Sequence, residues 1–146
     1  MSQVLDLVDA TFGMMGPITT QNVDLIVTAL AELFKQVFDR GVEISSASKF
    51  LWIRQQTPVV IFDKRAKDCL LGLGAKLDGK YATYRAEWFK QFDQREQDIQ
   101  KACAELVQVK DFAPTGETVV NLTSTVNSRW FHERVFDKFL WWNGAA

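Results

Sequence analysis

Lys49 and Asp63 are the two side chains of this sequence whose types and setting could support catalysis. A lysine amine becomes a nucleophile when burial or nearby cations lower its pKa, and Arg54, Lys64 and Arg65 are the neighbours in sequence that could do this. A carboxylate held in a cleft stabilises positive charge that develops on a reacting centre. Each residue also has a structural interpretation, because Asp63 can cap the helix that follows it and Lys49 can be a solvated helix lysine.

Other catalytic chemistries find little support in the residues present. The one histidine, His132, and two distant cysteines, Cys69 and Cys103, have no zinc-like spacing, and no nucleophile elbow precedes the histidine. We therefore predict no metal, no cofactor, a surface or hydrogen-bonded His132, and reduced cysteines in the core. Gly72–Gly74 lacks the Gly-Lys-Ser/Thr continuation of a phosphate-binding loop, so we interpret this stretch as a helix stop.

The elements that must position these residues are helices. Hydrophobic periodicity predicts an all-α fold, a compact single-domain bundle of about five to six helices over residues 1–146. The clearest helix starts from a cap at Thr19 or Thr20, ends by Gly41, and turns its acidic residues Asp24 and Glu32 outward. The last helix starts near Asn127, and we expect its apolar stripe to pack in the domain centre. That stripe consists of Phe131, Val135, Phe139 and Trp142, widened by Trp130, Phe136, Leu140 and Trp141.

The middle of the chain predicts a short apolar helix that ends near Gln56, because Pro58 disfavours helix at Thr57. We interpret Val59–Phe62 as an extended buried connector, since only the weak stretch 118–120 could pair with it as a strand. The other predicted elements are a first segment at 4–12, a helix opened by Asp63, and a mobile loop from Lys110 to Asn121. Between the last two we predict one long helix from Lys80 to Leu106, which Arg95 and Glu96 interrupt at mid-length.

Two motifs carry a resemblance to a known family: Ser-Ala-Ser-Lys-Phe-Leu-Trp at 46–52 and Pro-Val-Val-Ile-Phe-Asp-Lys-Arg-Ala at 58–66. Together they resemble the catalytic segment of the helix-hairpin-helix DNA glycosylases, in particular the 8-oxoguanine glycosylase branch and its bacterial relatives. The last helix, with Arg-Val-Phe-Asp at 134–137 before Leu-Trp at 140–141, also looks like those relatives. The resemblance implies that Asp63 stabilises charge at C1′ of a target nucleotide and that Lys49 attacks this carbon.

The sequence departs from the family pattern in two places. Counting back from Asp63 by the family's spacing arrives near Ile44, so Lys49 lies more than one turn further along the helix. The glycine-rich hairpin that should precede this helix is replaced by Gly41–Ile44, and the similar stretch Gly72–Lys76 comes after Asp63. These departures leave open a glycosylase-like fold that has lost its chemistry.

Positive charge is concentrated in the middle of the chain, although the formal net charge is -1. Residues 1–48 carry two basic and six acidic side chains, residues 49–101 eleven and seven, and the remainder four and five. A DNA backbone would meet a positive field only in the middle segment, although solvated helix faces explain the same pattern. The residues that we predict to contact duplex DNA are Lys64, Arg65, Lys67 and Lys76.

A second hypothesis is a non-catalytic interaction module. In that case the aromatic C-terminal helix mediates self-association or contact with a protein partner. The first residues, Met1–Asp6, have no basic region or apolar run of a secretory signal, and no stretch has the ~20 apolar residues that span a bilayer. We therefore expect a cytoplasmic protein without a membrane partner.

Overall fold

The computed structural model describes residues 13, 16–39, 41–108 and 119–144, and all regular structure in these ranges is helical. The prediction of an all-α fold is confirmed, and the seven α-helices of the described residues are close to the predicted five to six. None of them is both long enough and apolar enough to cross a membrane. The helices are α1 (Val23–Phe38), α2 (Ile44–Arg54), α3 (Lys64–Gly72), α4 (Tyr81–Asp93), α5 (Glu96–Glu105), α6 (Val119–Val126) and α7 (Arg129–Asn143).

The residues group into two units. The first unit comprises the described residues up to Asp63 together with 78–85, and the second comprises 64–77 and the described residues from Ala86 onward. The first unit therefore holds α1, α2 and the start of α4, and the second holds the rest of α4 and the other helices. The prediction that residues 1–146 form a single domain stays a prediction.

In the first unit, α1 packs against α2. The predicted cap at Thr19 or Thr20 is wrong, because the N-cap residue of α1 is Asn22. Its side-chain oxygen accepts the Thr19 N–H at 2.7 Å, so it fastens the preceding turn and makes no side-chain capping bond to the helix. The helix ends where Asp39 adopts a left-handed conformation with a φ of 49°. The buried residues of this core are Ile18, Val23, Ile26, Val27, Leu30, Ala31, Phe34, Ala47, Leu51, Val59 and Tyr81.

The predicted outward position of Asp24 is correct only in part, because its side chain is 34% exposed and one of its carboxylate oxygens is buried. Its carboxylate lies 3.7 Å from Nη1 of Arg85, whose side chain is only 13% exposed. The α1 periodicity could not reveal this, because the burial comes from the start of α4, which the sequence does not place. Glu32 on the same helix is half exposed and pairs with Lys35 at 3.8 Å, as a solvated helix face would.

In the second unit, α7 packs along α3 and also contacts α5 and α6. An aromatic cluster of Trp88, Phe92 and Phe136 forms its centre, with ring centroids between 4.9 and 5.7 Å apart. At the end of α7, Gly144 approaches α3 so closely that a Cβ built on it would lie 1.8 Å from the Arg65 carbonyl oxygen. The backbone of the two helices can meet there only because Gly144 has no side chain.

The predicted inner face of α7 is wrong in part, because Phe136 and Leu140 are buried as predicted but the rest of the stripe is not. Phe139 is 43% exposed and Trp142 is 75% exposed, whereas the buried residues are His132, Glu133, Phe136, Asp137 and Leu140. The helix is thus rotated so that the polar residues His132, Glu133 and Asp137 are buried beside two apolar ones. Burial of these polar groups is possible because hydrogen bonds satisfy them: Glu133 pairs with Arg129 at 3.0 Å, and Asp137 pairs with Arg134.

The prediction of one continuous long helix is wrong, because the chain breaks at Gln94 and Arg95 into α4 and α5, close to the interruption predicted at Arg95 and Glu96. The Arg95 N–H bonds to the carbonyl of Phe92, three residues back, at 2.8 Å. The Arg95 guanidinium donates to the Gln91 carbonyl at 3.0 Å. In an uninterrupted helix this carbonyl would accept the backbone N–H of Arg95. The Arg95 side chain therefore makes the hydrogen bond that the Arg95 backbone N–H would make in a continuous helix.

Helix α6 begins at Val119, so the predicted loop is wrong for residues 119–121. Residues 119–120, part of the weak stretch that was considered as a partner strand, are helical. Most of the predicted mobile loop and the whole predicted segment 4–12 lie outside the described residues.

Candidate functional site

The candidate site is carried by the extended connector Val59–Phe62, as predicted. This stretch has no regular secondary structure, and Val59 and Val60 are 3% and 5% exposed. The preceding helix α2 runs from Ile44 to Arg54, so it ends close to the predicted end near Gln56. On the other side, α3 begins directly after Asp63.

Side chains take the place of a partner strand in holding this connector. The Tyr81 hydroxyl accepts the Val60 N–H at 2.9 Å and donates to the Val60 carbonyl at 2.8 Å. From the same turn of α4, the Tyr84 hydroxyl donates to the Ile61 carbonyl at 3.0 Å. Burial raises the pKa of the Tyr81 phenol, which keeps it in the neutral form that can donate. The backbone that delivers Asp63 is therefore fixed residue by residue.

A buried serine completes the support from the α2 side. Ser48 is fully buried, and its hydroxyl accepts the N–H of Phe62 at 2.9 Å while donating to the Ser45 carbonyl at 3.1 Å. Ser48 immediately precedes Lys49, and Phe62 immediately precedes Asp63. The hydrogen bond between these neighbours sets the separation of the lysine and the aspartate.

The structure brings the two predicted catalytic residues together. Lys49 Nζ lies 3.5 Å from Asp63 Oδ2, although fourteen positions separate them in the chain. The side chain of Asp63 is 22% exposed and that of Lys49 is 50% exposed, so the pair opens to solvent at the amine. Chemically, the arrangement offers a primary amine beside a mostly covered carboxylate.

The four residues predicted to contact DNA all lie in the second unit, in or just after α3. Lys64 pairs with Asp68 at 2.7 Å, and the guanidinium of Arg65 stacks on the Trp141 ring at 4.1 Å from its centroid. Lys67 is half-buried and Lys76 is exposed. Lys64 and Arg65 therefore already have partners within the second unit, which the charge count did not predict.

The remaining sequence candidates have structural roles. His132 is 5% exposed, and its Nε2 lies 2.7 Å from the Val126 carbonyl, to which it donates. The described residues contain no group of three or more His, Cys, Asp or Glu side chains that could hold a metal ion. Gly74 has a φ of +87°, and the carbonyl of Leu70 accepts the Ala75 N–H, which confirms a helix stop at this point.

Both cysteines are free thiols. Cys103 is buried as predicted, whereas Cys69 is only half-buried. Burial raises the pKa of both thiols, and for Cys69 the positive charge of Arg95 opposes this effect. A raised pKa disfavours the thiolate, so neither is set up as a nucleophile.

One feature of the first unit was missed in the sequence. A pocket of about 480 Å³ lies between the end of α1 and the start of α2. Phe34 and Phe38 lie four positions apart on α1, and no local pattern predicts that Phe50 of α2 joins them. The lining residues are Phe34, Phe38, Glu43, Ser46 and Phe50.

No family model matches this chain, and the comparisons with curated proteins and with solved structures found no similar protein. The function must therefore be argued from the residues themselves.

Proposed function

We propose that the protein acts on DNA at the sugar carbon C1′ of a damaged or modified nucleotide, as a DNA-glycosylase-like protein. The observation that carries the proposal is the 3.5 Å approach of Lys49 Nζ to Asp63 Oδ2 at the end of a rigidly held connector. Base excision through a covalent intermediate needs an amine nucleophile and an anion close to one carbon, and this pair supplies both. The resemblance of 46–66 to the glycosylase catalytic segment supports the same assignment.

The chemistry follows from the two groups. When the bond between C1′ and the base breaks, the base leaves with the bonding electrons and C1′ becomes electron-poor. The Asp63 carboxylate stabilises this positive charge, and the Lys49 amine, once it has lost its proton, donates its lone pair to C1′. The nitrogen bound to C1′ then loses one proton to solvent, its lone pair displaces O4′ from C1′, and O4′ takes up a proton as the sugar ring opens to a protonated imine. DNA must displace the Asp63 contact from the amine for this step to occur.

The imine allows a direct test. Borohydride reduces an imine to a stable amine, so mixing the protein with duplex DNA that carries an abasic aldehyde should yield a covalent protein–DNA adduct on a denaturing gel. Lys49→Gln should abolish the adduct. Lys35→Gln is the matched control, because Lys35 is a half-exposed lysine of α1 that pairs with Glu32 and is not among the residues predicted to contact DNA. Equal adduct from wild type and Lys49→Gln would rule out the assignment of Lys49.

Duplex binding is tested separately from chemistry. We expect fluorescence anisotropy to show preferential binding to a duplex with a stable abasic-site analogue over the undamaged duplex, and weaker binding at higher salt. Changing Lys67 and Lys76 together to Gln should lower the affinity for both duplexes and flatten the salt dependence. Absence of binding to either duplex would overturn the DNA assignment while leaving the fold intact.

A second candidate function, a non-catalytic interaction module, is favoured by one observation. The α7 residues Phe139 and Trp142 are 43% and 75% exposed, on the face that carries Phe131 and Val135. A run of apolar side chains left open on one helix face is typical of an interface. We expect light scattering at increasing concentration to detect a dimer that Trp142→Ser dissociates. A monomer at all concentrations would exclude self-association.

A further inference from the structure

The pocket between α1 and α2 is lined by three phenylalanine rings. Phe34 and Phe38 have ring centroids 5.8 Å apart with planes at 66°, and Phe34 and Phe50 have centroids 6.1 Å apart with planes at 87°. Phe34 is 7% exposed at the base, whereas Phe38 is 52% exposed at the rim. A volume of about 480 Å³ lies within the range of small-molecule sites. The pocket thus has the size and the aromatic lining of a ligand site.

One carboxylate gives the pocket its charge. Glu43 is half-buried and stands at the N-cap position of α2, yet its side chain makes no capping hydrogen bond to the helix. Its Oε2 accepts the Ser46 hydroxyl at 3.2 Å instead. Among the described residues, no basic side chain lies within ion-pair distance of this carboxylate. The negative charge at the pocket is therefore not neutralised by the described part of the chain.

We infer that this pocket binds a small organic ammonium ion. A cation with methyl or other alkyl substituents is attracted to the faces of aromatic rings and loses little hydration on entering an apolar site. The Glu43 carboxylate supplies the opposite charge at the same pocket, and the Ser46 hydroxyl holds that carboxylate. A metal ion would need several oxygen ligands, and the pocket offers one carboxylate and one hydroxyl among three hydrocarbon rings. An anion would be repelled by Glu43.

The test compares two probes of equal shape and different charge. Choline and 3,3-dimethyl-1-butanol differ only in that a trimethylammonium group replaces a neutral tert-butyl group. We expect isothermal titration calorimetry to show ~tenfold tighter binding of choline, because only choline gains the cation–π and carboxylate attraction. Benzyltrimethylammonium should bind more tightly than choline, because its ring adds apolar contact inside the pocket.

Three variants test whether the residues that line the pocket are responsible for the binding of choline. Glu43→Gln keeps the size of the side chain and should reduce the preference for choline over its neutral isostere to ~twofold or less. Phe38→Leu should weaken choline binding while leaving the neutral isostere nearly unaffected. Glu32→Gln is the matched control, since Glu32 is an exposed α1 carboxylate paired with Lys35 and does not line the pocket.

Three outcomes would overturn the inference. These are equal affinity for choline and its isostere, retention of the preference in Glu43→Gln, and absence of binding by all three probes at ~10 mM, a concentration at which even a millimolar complex saturates. Circular dichroism spectra of each variant establish that a loss of binding is not a loss of folding. The inference is independent of the proposed action on DNA, because it concerns a different pocket and a different probe.

Discussion

Tyr81 satisfies both backbone polar groups of Val60 with a single phenolic oxygen, which accepts the N–H at 2.9 Å and donates to the carbonyl at 2.8 Å. In a β-sheet a neighbouring strand would provide these two bonds. The described residues include no strand, so a side chain from α4 provides them. The position of the connector, and of Asp63 at its end, therefore depends on a residue that lies eighteen positions beyond the aspartate.

The first prediction concerns the stability that this contact provides. Tyr81→Phe removes the hydroxyl and leaves the Val60 N–H and carbonyl buried without their partner, which should lower the free energy of unfolding by about 3 kcal/mol. Tyr84→Phe is the matched control and should cost about 1 kcal/mol, because this hydroxyl donates to the single carbonyl of Ile61. Urea unfolding measures both. Equal costs would contradict the double role of Tyr81.

The second prediction concerns alkaline pH. Burial raises the pKa of the Tyr81 phenol above that of an unfolded tyrosine, so the folded state favours the neutral form. The stabilisation is complete below the unfolded pKa of ~10 and is lost as the pH rises above it. We expect the free energy of unfolding to fall more steeply above pH ~10 in the wild type than in Tyr81→Phe.

A control for this pH experiment is needed because burial also raises the pKa of the thiols of Cys69 and Cys103. They contribute a loss of stability that begins near the unfolded cysteine pKa of ~8.5 and is common to wild type and variant. The difference between the two proteins in urea unfolding at a series of pH values therefore isolates the phenol. Superimposable curves would show that Tyr81 is not the group involved.

The third prediction separates the roles proposed for the two catalytic residues. An abasic aldehyde has already lost its base, so imine formation needs the Lys49 amine but not the charge of Asp63. Asp63→Asn should therefore keep borohydride trapping on an abasic duplex while losing excision of a base from a duplex that carries one. Gel assays on the two substrates measure both steps. Loss of trapping in Asp63→Asn, with an unchanged circular dichroism spectrum, would contradict this division.

Local patterns were enough to predict several elements. The periodicity of α1 identified that helix, Pro58 marked the end of α2, and the absence of a strong partner strand indicated that Val59–Phe62 is an extended connector. These features depend on short-range sterics and on apolar spacing, which a sequence displays directly. Residue type and resemblance named Lys49 and Asp63 as candidates, but the sequence did not predict the contact between them.

Other features depended on contacts that no local pattern contains. Asp24 is covered because Arg85 lies against it, and the α4–α5 break depends on the Arg95 guanidinium taking the Gln91 carbonyl. The pocket at Phe34 forms only when Phe50 arrives from α2. For Asp24 and for the pocket, a residue from a distant part of the chain determines the local structure. At the α4–α5 break, a side chain competes with the backbone for a hydrogen bond.

The fourth prediction concerns the contact between α3 and the end of α7. A methyl group at position 144 would lie 1.8 Å from the Arg65 carbonyl oxygen, so Gly144→Ala must push the two backbones apart and should cost about 2 kcal/mol. Gly72→Ala is the control, because a Cβ there meets no atom within 4 Å and the helix gains propensity. Thermal unfolding should show a lower midpoint for Gly144→Ala alone. An unchanged midpoint would contradict the close approach.

The fifth prediction tests which face of α7 is buried, with two identical residues three positions apart. Phe136 is 1% exposed and contacts Trp88 and Phe92, whereas Phe139 is 43% exposed. Phe136→Ala should cost about 4 kcal/mol of unfolding free energy, because it removes a buried ring and leaves a cavity, and Phe139→Ala should cost about 1 kcal/mol. The apolar stripe in the sequence places both rings inside and therefore predicts similar costs for the two variants. Urea unfolding of the two variants therefore decides between the sequence stripe and the observed packing, and a larger loss for Phe139→Ala would mean that α7 presents its other face to the core.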